Sequence, residues 1–183
     1  MWRVTPPRRQ ADHFVTGLLC LGSLWFGGLV YENHWAQPEK PPAILSDMPG
    51  AIPAKTLSGE LLSLDAVNLK RPTLLLVLSA DCRYCEQNAP AWQGLVDSLG
   101  RTESAPTVLA LSLSDAEDTR QYLEDNHLEV PVFLIDQAEL AALGLPGVPG
   151  TIALDPGSDT MRSWIGVLSD SETATILTWA EAN

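Results

Sequence analysis

Two cysteines separated by two residues, Cys82 and Cys85, stand at the junction between an apolar run and a segment with helical periodicity. The apolar run, Thr73–Leu78, is typical of a strand that is buried on both faces of a sheet. The segment at 86–99 places its apolar residues at helical spacing. Cys82 is therefore expected at a helix N-terminus, where backbone N–H groups and the helix dipole favour a thiolate. Cys85, about one turn further on, is placed to attack a mixed disulfide formed at Cys82.

Other uses of a closely spaced cysteine pair fit this sequence less well. A zinc site normally takes four ligands, and the only other cysteine in the chain is Cys20. A c-type haem site needs a histidine directly after the second cysteine, whereas Glu86 stands there. A disulfide with a purely structural role would close a very short loop and stabilise the fold little. The spacing favours redox chemistry, with a structural pair and a metal-binding pair as the weaker interpretations.

The N-terminal part of the chain has the pattern of a membrane anchor. Residues 1–13 are polar and carry three arginines, and residues 14–31 contain no charged side chain. A helix over 14–31 is long enough to cross a bilayer core at about 1.5 Å per residue. The arginines before it and Glu32 after it predict a cytoplasmic N-terminus and an exported remainder. A cleaved signal peptide is the alternative, but no clear small-residue cleavage site follows the apolar run.

The remainder of the chain divides into a linker and a domain. Residues 32–53 contain five prolines, which predicts a semi-extended linker. The domain is expected to span 54–183. The whole chain has a formal net charge of −12, which argues against nucleic acid or anionic lipid as a surface partner.

Strands alternate with helices along this domain. A turn at 58–60 is expected between two short extended pieces. After the central strand and its helix, the pattern predicts a strand at 107–113, a helix from Ser114 or Asp115 to 126, and a strand at 130–135. It then predicts a short helix that starts at Asp136 or Gln137 and ends by Gly144, a hairpin at 151–154 and 161–168, and a last helix at 169–182 with Ser169 or Asp170 as its cap. This order indicates an α/β domain with a central mixed sheet flanked by helices.

Three features together resemble the TlpA/ResA type of membrane-anchored thioredoxin-like proteins, over about 54–182. They are Cys82-Arg83-Tyr84-Cys85 with Pro90 beyond it, an insert at 115–145, and Gly-Val-Pro-Gly-Thr at 147–151, which resembles the family's Gly-Val-Pro-Thr-Thr. The resemblance implies a thioredoxin-like fold with an N-terminal transmembrane helix. It also implies a redox-active disulfide between the two cysteines, with no other cofactor and no metal.

The resemblance further implies a substrate-binding surface around the pair. In that family, the proline that matches Pro149 is cis and lies beside the cysteines. A cis proline makes a tight bend and offers no N–H, so the backbone of Val148 is expected to pair with an extended substrate segment. Arg83 and Tyr84 are expected to contact the partner and to tune the redox potential.

The function implied by the resemblance is that of a thiol–disulfide oxidoreductase in the bacterial inner membrane, with one span and its C-terminal domain in the periplasm. Cys82 would attack disulfides of exported proteins, and Cys85 would resolve the mixed species. The electrons would come from a transmembrane thiol donor, since the periplasm is kept oxidising. The pathway would be cytochrome c maturation or a related assembly process. The alternatives are a thiol oxidase or peroxide-reducing redoxin and, outside enzymes, a metal chaperone or binding module on the same fold.

The sequence departs from the family at three positions near the pair. Asp81 stands where the family often has tryptophan, and a carboxylate beside the first cysteine disfavours its thiolate, whereas Arg83 opposes that effect. Asn88 stands where the family usually has glutamate, and an amide cannot carry a proton to or from Cys85. Leu78 replaces an expected aromatic residue. These departures leave the direction of the redox reaction open at the level of sequence.

Overall fold

A computed structural model describes residues 42–46, 50–64, 70–100, 105–156 and 160–182. The predicted cytoplasmic segment 1–13 and the predicted anchor 14–31 lie outside these residues. Among the helices of the described ranges, none combines the length and the apolar character needed to cross a bilayer.

The described residues form one mixed sheet with helices. Its eight strands are β1 Ala43–Ser46, β2 Ile52–Lys55, β3 Leu61–Leu64, β4 Thr73–Leu78, β5 Thr107–Ser112, β6 Val132–Leu134, β7 Gly150–Leu154 and β8 Thr160–Ile165. The helices of this part of the chain are α1 Arg83–Leu99, α2 Ala116–Asp125, α3 Gln137–Ala142 and α4 Asp170–Glu181. The strand order is β1-β8-β7-β4-β5-β6-β2-β3. Strand β4 pairs in parallel with β5 and antiparallel with β7, so the sheet is mixed, as predicted.

Strand β4 is buried along its whole length because its side chains alternate between two hydrophobic cores. Leu74, Leu76 and Leu78 belong to the core that includes buried residues of α1, α2 and α4. Leu75 and Val77 belong to the opposite core, which includes a buried residue of α3. The continuous apolar run therefore reflects a strand that is covered by helices on both faces.

Helix α1 begins at Arg83, earlier than the apolar periodicity predicts, because Cys82 serves as its N-cap. Its buried face belongs to the core that contains Leu74, Leu76 and Leu78. The buried residues of this face are Cys85, Asn88, Ala89, Trp92, Leu95 and Leu99. The indole N–H of Trp92 donates to Thr151 Oγ1 at 2.9 Å, which joins α1 to strand β7. The cysteine pair is thereby held just beyond the carboxyl end of the central strand.

The later helices begin where the sequence predicts. Asp115, Asp136 and Ser169 are the N-caps of α2, α3 and α4, and the side chain of each accepts at least one backbone N–H of the first turn. Asp136 and Ser169 also form capping boxes with Glu139 and Glu172. Local side-chain chemistry thus determines where these three helices start.

The segment 32–53, which was predicted to be linker, contributes residues to the sheet, and this corrects the prediction for its described part. Strand β1 pairs antiparallel with β8, and β2 begins at Ile52 and pairs antiparallel with β3. Strand β2 pairs with β6 only at Lys55. Pro53 therefore lies beyond the paired part of the edge that faces β6, where a missing N–H is tolerated. The sheet therefore begins before residue 54.

Candidate active site

Cys82 lies at the N-terminus of α1 with an extended backbone, at φ −92° and ψ 105°. Its Sγ accepts the backbone N–H of Cys85 at 3.2 Å. Its carbonyl oxygen accepts the N–H groups of Cys85 at 2.9 Å and of Glu86 at 3.2 Å. The sulfur of Cys82 is half-buried at the positive end of a helix, where backbone N–H groups favour a negative charge. This is the placement that the cysteine spacing predicts.

Cys85 is fully buried, and both cysteines are free thiols in this structure. Burial raises the pKa of the Cys85 thiol strongly, and its hydrogen bond with the Cys82 side chain raises it further. The negative charges of Cys82 and Asp81 also raise this pKa, whereas a backbone hydrogen bond from Ser79 lowers it. The pair is therefore asymmetric, with one accessible sulfur at the helix end and one protonated sulfur beneath it.

The loop that precedes strand β7 lies against the first cysteine. The Val148–Pro149 peptide bond is cis, as the resemblance implies. The Cys82 thiol points to the carbonyl oxygen of Val148, with an S···O distance of 3.8 Å. Pro149 is buried, and its carbonyl accepts the N–H of Gly166 at 2.9 Å. Gly166 has φ +101°, a backbone conformation that favours glycine.

The two residues between the cysteines are exposed. The side chain of Tyr84 is 61% exposed and ranks among the few large apolar surfaces in the described residues. Arg83 is also exposed and forms no ion pair with any described residue. Val148 is half-buried and packs against both cores. The structure brings these residues and Pro149 together around Cys82, and their contact with a substrate stays a prediction.

Tyr122 of helix α2 is a site residue that the sequence analysis missed. It is buried, and its hydroxyl donates to the carbonyl oxygen of Cys85 at 2.8 Å. Burial raises the pKa of Tyr122, and the negative charges of Cys85, Cys82 and Glu86 raise it further. The only sequence signal for this contact is an aromatic residue inside a predicted helix. Helix α2, which lies in the insert at 115–145, is thus hydrogen-bonded to the first turn of α1.

Asn88 occupies the position at which the resembling family usually has glutamate. It is fully buried, and its Oδ1 accepts the backbone N–H of Leu168 at 2.8 Å. Its Nδ2 has no hydrogen-bond partner among the described residues. The amide therefore connects α1 to the segment that precedes α4, and it offers no group that takes up the proton of Cys85.

Asp81 is oriented by the hydroxyl groups of the loop that follows strand β4. Its carboxylate accepts a hydrogen bond from the Ser79 hydroxyl. Ser79 Oγ lies 3.1 Å from Ser114 Oγ, and Ser114 Oγ accepts the N–H of Ala80 at 2.8 Å. The Asp81 carboxylate thus pairs with a hydroxyl rather than with Arg83.

A groove of about 530 Å³ opens beside the pair, between this loop and helix α2. Four of its lining side chains are carboxylates and none is cationic. The lining consists of Ala80, Asp81, Glu86, Asp118, Gln121, Tyr122, Asp125 and Asn126. The surface on this side of the cysteines is therefore acidic.

No protein-family model and no curated protein matches this chain. Solved structures do match it. The thioredoxin domain of a thiol-disulfide oxidoreductase from Bacteroides vulgatus is 18% identical, with a TM-score of 0.58 over 77% of this chain and 98% of that chain. StoA from Bacillus subtilis is 18% identical, with a TM-score of 0.53 over 75% of this chain and 96% of that chain. A secreted disulfide oxidoreductase from Mycobacterium tuberculosis is 16% identical, with a TM-score of 0.56 over 72% of this chain and 95% of that chain.

At these identities the similarity establishes the fold. Two of the three matched proteins are disulfide oxidoreductases by description, and the geometry of Cys82 and Cys85 is consistent with that class of enzyme. The narrower TlpA/ResA assignment and the transmembrane helix stay predictions. The described part of the chain has a thioredoxin-like α/β fold with a mixed sheet, which confirms that part of the predicted fold class.

Proposed function

We propose that this protein is a thiol–disulfide oxidoreductase that reduces disulfides of partner proteins, with Cys82 as the nucleophile and Cys85 as the resolving thiol. The observation that carries the proposal is the asymmetry of the pair at the start of α1. Cys82 Sγ accepts a backbone N–H at 3.2 Å, whereas the Cys85 side chain is 0% exposed. Only the first sulfur can meet a disulfide that belongs to another protein, and the second can reach only the first.

The reaction transfers two electrons to the substrate. The Cys82 thiolate attacks one sulfur of the substrate disulfide, that S–S bond breaks, and a Cys82–substrate disulfide forms. The other substrate sulfur leaves as a thiolate and takes up a proton. Cys85 then loses its proton and attacks Cys82 Sγ, which releases the second substrate thiol and leaves a Cys82–Cys85 disulfide. A dithiol donor must reduce this disulfide before the next turnover.

The charge and the hydrogen bond that link the two cysteines favour this order of events. In the free dithiol, the Cys85 thiol is hydrogen-bonded to Cys82, and the negative charge of Cys82 helps to hold the pKa of Cys85 high. When Cys82 enters a mixed disulfide, that charge and that hydrogen bond are lost. The pKa of Cys85 then falls, although burial still keeps it above its ordinary value. The resolving thiol is thus easiest to deprotonate at the step that needs its thiolate.

The substrate segment in this proposal lies across Val148 and Pro149 and contacts Arg83 and Tyr84. The carbonyl oxygen of Val148 is 3.8 Å from the attacking sulfur, so a segment paired with this backbone brings its disulfide to Cys82. The exposed ring of Tyr84 offers apolar area on the same surface. These features favour a protein substrate over a small disulfide compound.

The proposed setting is the periplasmic side of a bacterial inner membrane, with residues 14–31 as the anchor and no role in binding nucleic acid. The support comes from the uncharged segment and from the arginines that precede it. One matched protein is described as secreted. The electrons come, in this proposal, from a transmembrane thiol donor, and the pathway is cytochrome c maturation or a related assembly process.

Equilibration of the purified protein in glutathione and dithiothreitol buffers, with alkylation of free thiols and mass spectrometry, tests the activity and its direction. Cys85→Ser should accumulate a mixed disulfide on Cys82, whereas Cys82→Ser should form none. A potential near or below about −270 mV supports a reductase, and one near about −120 mV makes the protein an oxidant and overturns the proposed direction. A pair that never exchanges with either reagent overturns the enzyme proposal.

A further inference from the structure

The loop that carries the first cysteine presents a carboxylate immediately beside it. Asp81 precedes Cys82 in the chain, and its side chain accepts the hydroxyl hydrogen bond of Ser79. Ser79 is in turn held by Ser114, whose hydroxyl also accepts the N–H of Ala80 at 2.8 Å. One hydrogen bond, from a Ser79 hydroxyl that is itself held by Ser114, thus orients the exposed carboxylate at the start of α1.

No cation of the described residues neutralises this carboxylate. The ion pairs in this part of the chain join Arg120 to Glu117 and Arg162 to Asp155. Arg83, one residue beyond the first cysteine, is exposed and pairs with neither Asp81 nor any other described carboxylate. The charge of Asp81 therefore acts on the cysteines through space without a paired positive charge.

The other groups around the pair do not change the sign of this effect. Glu86 lies in the first turn of α1 and adds a second negative charge. The Tyr122 hydroxyl from α2 is neutral and donates a hydrogen bond to the carbonyl oxygen of Cys85. The negative charge of Asp81 contributes to the raised pKa of Cys85, after burial and the influence of Cys82. Backbone N–H groups of α1 favour a thiolate at the site, and Asp81 opposes them.

We propose that Asp81 is a positioning residue that makes the dithiol a stronger reductant, because its oriented charge destabilises the thiolate but not the neutral disulfide. The proposal rests on the proposed function and extends it to the direction of electron flow. Stabilisation of the reduced pair makes a protein of this kind an oxidant, so destabilisation of its thiolate has the opposite effect. The sequence departure at residue 81 thus favours reduction of the substrate.

Asp81→Asn tests this directly, since the amide oxygen can still accept the Ser79 hydroxyl while the charge is lost. The equilibrium constant with glutathione should shift toward the reduced pair by about threefold to tenfold. A tenfold shift corresponds to about 30 mV for this two-electron couple. The rate of Cys82 alkylation should also rise, because a larger fraction of its sulfur is thiolate. Asp81→Glu keeps the charge and should stay within twofold of the natural protein.

Asp118→Asn is the matched control, because it removes the same charge from the same groove but on helix α2. It should shift the equilibrium by less than twofold. Added salt should reduce the difference between the natural protein and the Asp81→Asn variant, since Asp81 is exposed and Cys82 is only half-buried. If Asp81→Glu shifts the equilibrium as much as Asp81→Asn does, the role of Asp81 is steric and the proposal is overturned.

The outcomes separate this proposal from the proposed function. If the natural pair exchanges with glutathione but Asp81→Asn leaves the equilibrium and the alkylation rate unchanged, the role of Asp81 is overturned and the oxidoreductase stands. An equal shift in the Asp118→Asn variant, or a shift toward the disulfide in Asp81→Asn, also overturns it. If the natural pair does not exchange at all, the proposed function fails first.

Discussion

The hydroxyl of Tyr122 donates a hydrogen bond of 2.8 Å to the backbone carbonyl of Cys85. This contact joins helix α2 to the first turn of α1, across 37 positions of sequence. Both partners are buried, so the hydrogen bond is shielded from bulk water. The helix that follows strand β5 therefore supports the turn that holds the redox pair.

Removal of this hydroxyl should weaken the fold measurably. We expect Tyr122→Phe to lower the free energy of unfolding by about 1 kcal/mol, the usual contribution of a hydrogen bond between neutral groups. Urea denaturation followed by circular dichroism measures the change. Tyr84→Phe is the matched control, because it removes a hydroxyl from an exposed ring and should change the stability by less than about 0.5 kcal/mol. Equal losses in the two variants would contradict this interpretation.

The contact between α1 and strand β7 should be tested by a double-mutant cycle. Thr151→Val removes the acceptor of the Trp92 indole N–H and leaves a buried donor unpaired, so we expect a loss of about 1–3 kcal/mol. Trp92→Phe removes the donor together with part of the ring. The two changes should be non-additive by about 1 kcal/mol, because each removes the same hydrogen bond. Strictly additive losses in urea denaturation would show that the bond contributes nothing to stability.

Local chemistry explains which parts of the fold were predictable. The N-caps Asp115, Asp136 and Ser169 act within their own first turns, so the sequence around them predicts the starts of the helices. The placement of Cys82 at a helix N-terminus follows in the same way from a strand and a helix that are adjacent in the chain. The cis bond before Pro149 required the resemblance, since local sequence alone does not select that isomer.

Long-range contacts explain what was missed. The first strand pairs Ala43 with Ser163, so a short segment between prolines becomes a strand only because a distant edge is available. The hydrogen bond from the N–H of Leu168 to Asn88 spans 80 positions. It gives the Asn88 amide a structural role that the sequence around Cys85 does not indicate. Pairings of this kind depend on the finished fold and leave no periodic signal in the sequence.

A carboxylate placed at position 88 should make the stability of the protein depend on pH. In an Asn88→Asp variant the side chain can still accept the Leu168 N–H, but burial should raise the pKa of the new carboxyl group above about 3.9. The folded state then binds more protons than the unfolded state, so the variant loses stability as the pH rises above that unfolded value. Urea denaturation at pH 4 and pH 7 should show a larger deficit at pH 7.

Asn88→Leu provides the control for this experiment. It leaves the Leu168 N–H unpaired in a buried place and should cost about 1–3 kcal/mol at both pH values. A deficit in Asn88→Asp that is the same at pH 4 and pH 7 would mean that water reaches the site, in conflict with the complete burial of Asn88.

The reduced protein should lose stability in alkaline solution because of Cys85. Burial and the neighbouring Cys82 raise the pKa of its thiol in the folded state, whereas the unfolded thiol titrates near its ordinary value of about 8.5. Above that pH the unfolded state releases a proton that the folded state retains, so stability falls by up to about 1.4 kcal/mol for each further pH unit. Urea denaturation of the reduced protein from pH 7 to pH 10 measures this slope. Cys85→Ser, which stays neutral over this range, should remove the Cys85 part of the slope, and an unchanged slope would show that Cys85 is not held as a buried thiol.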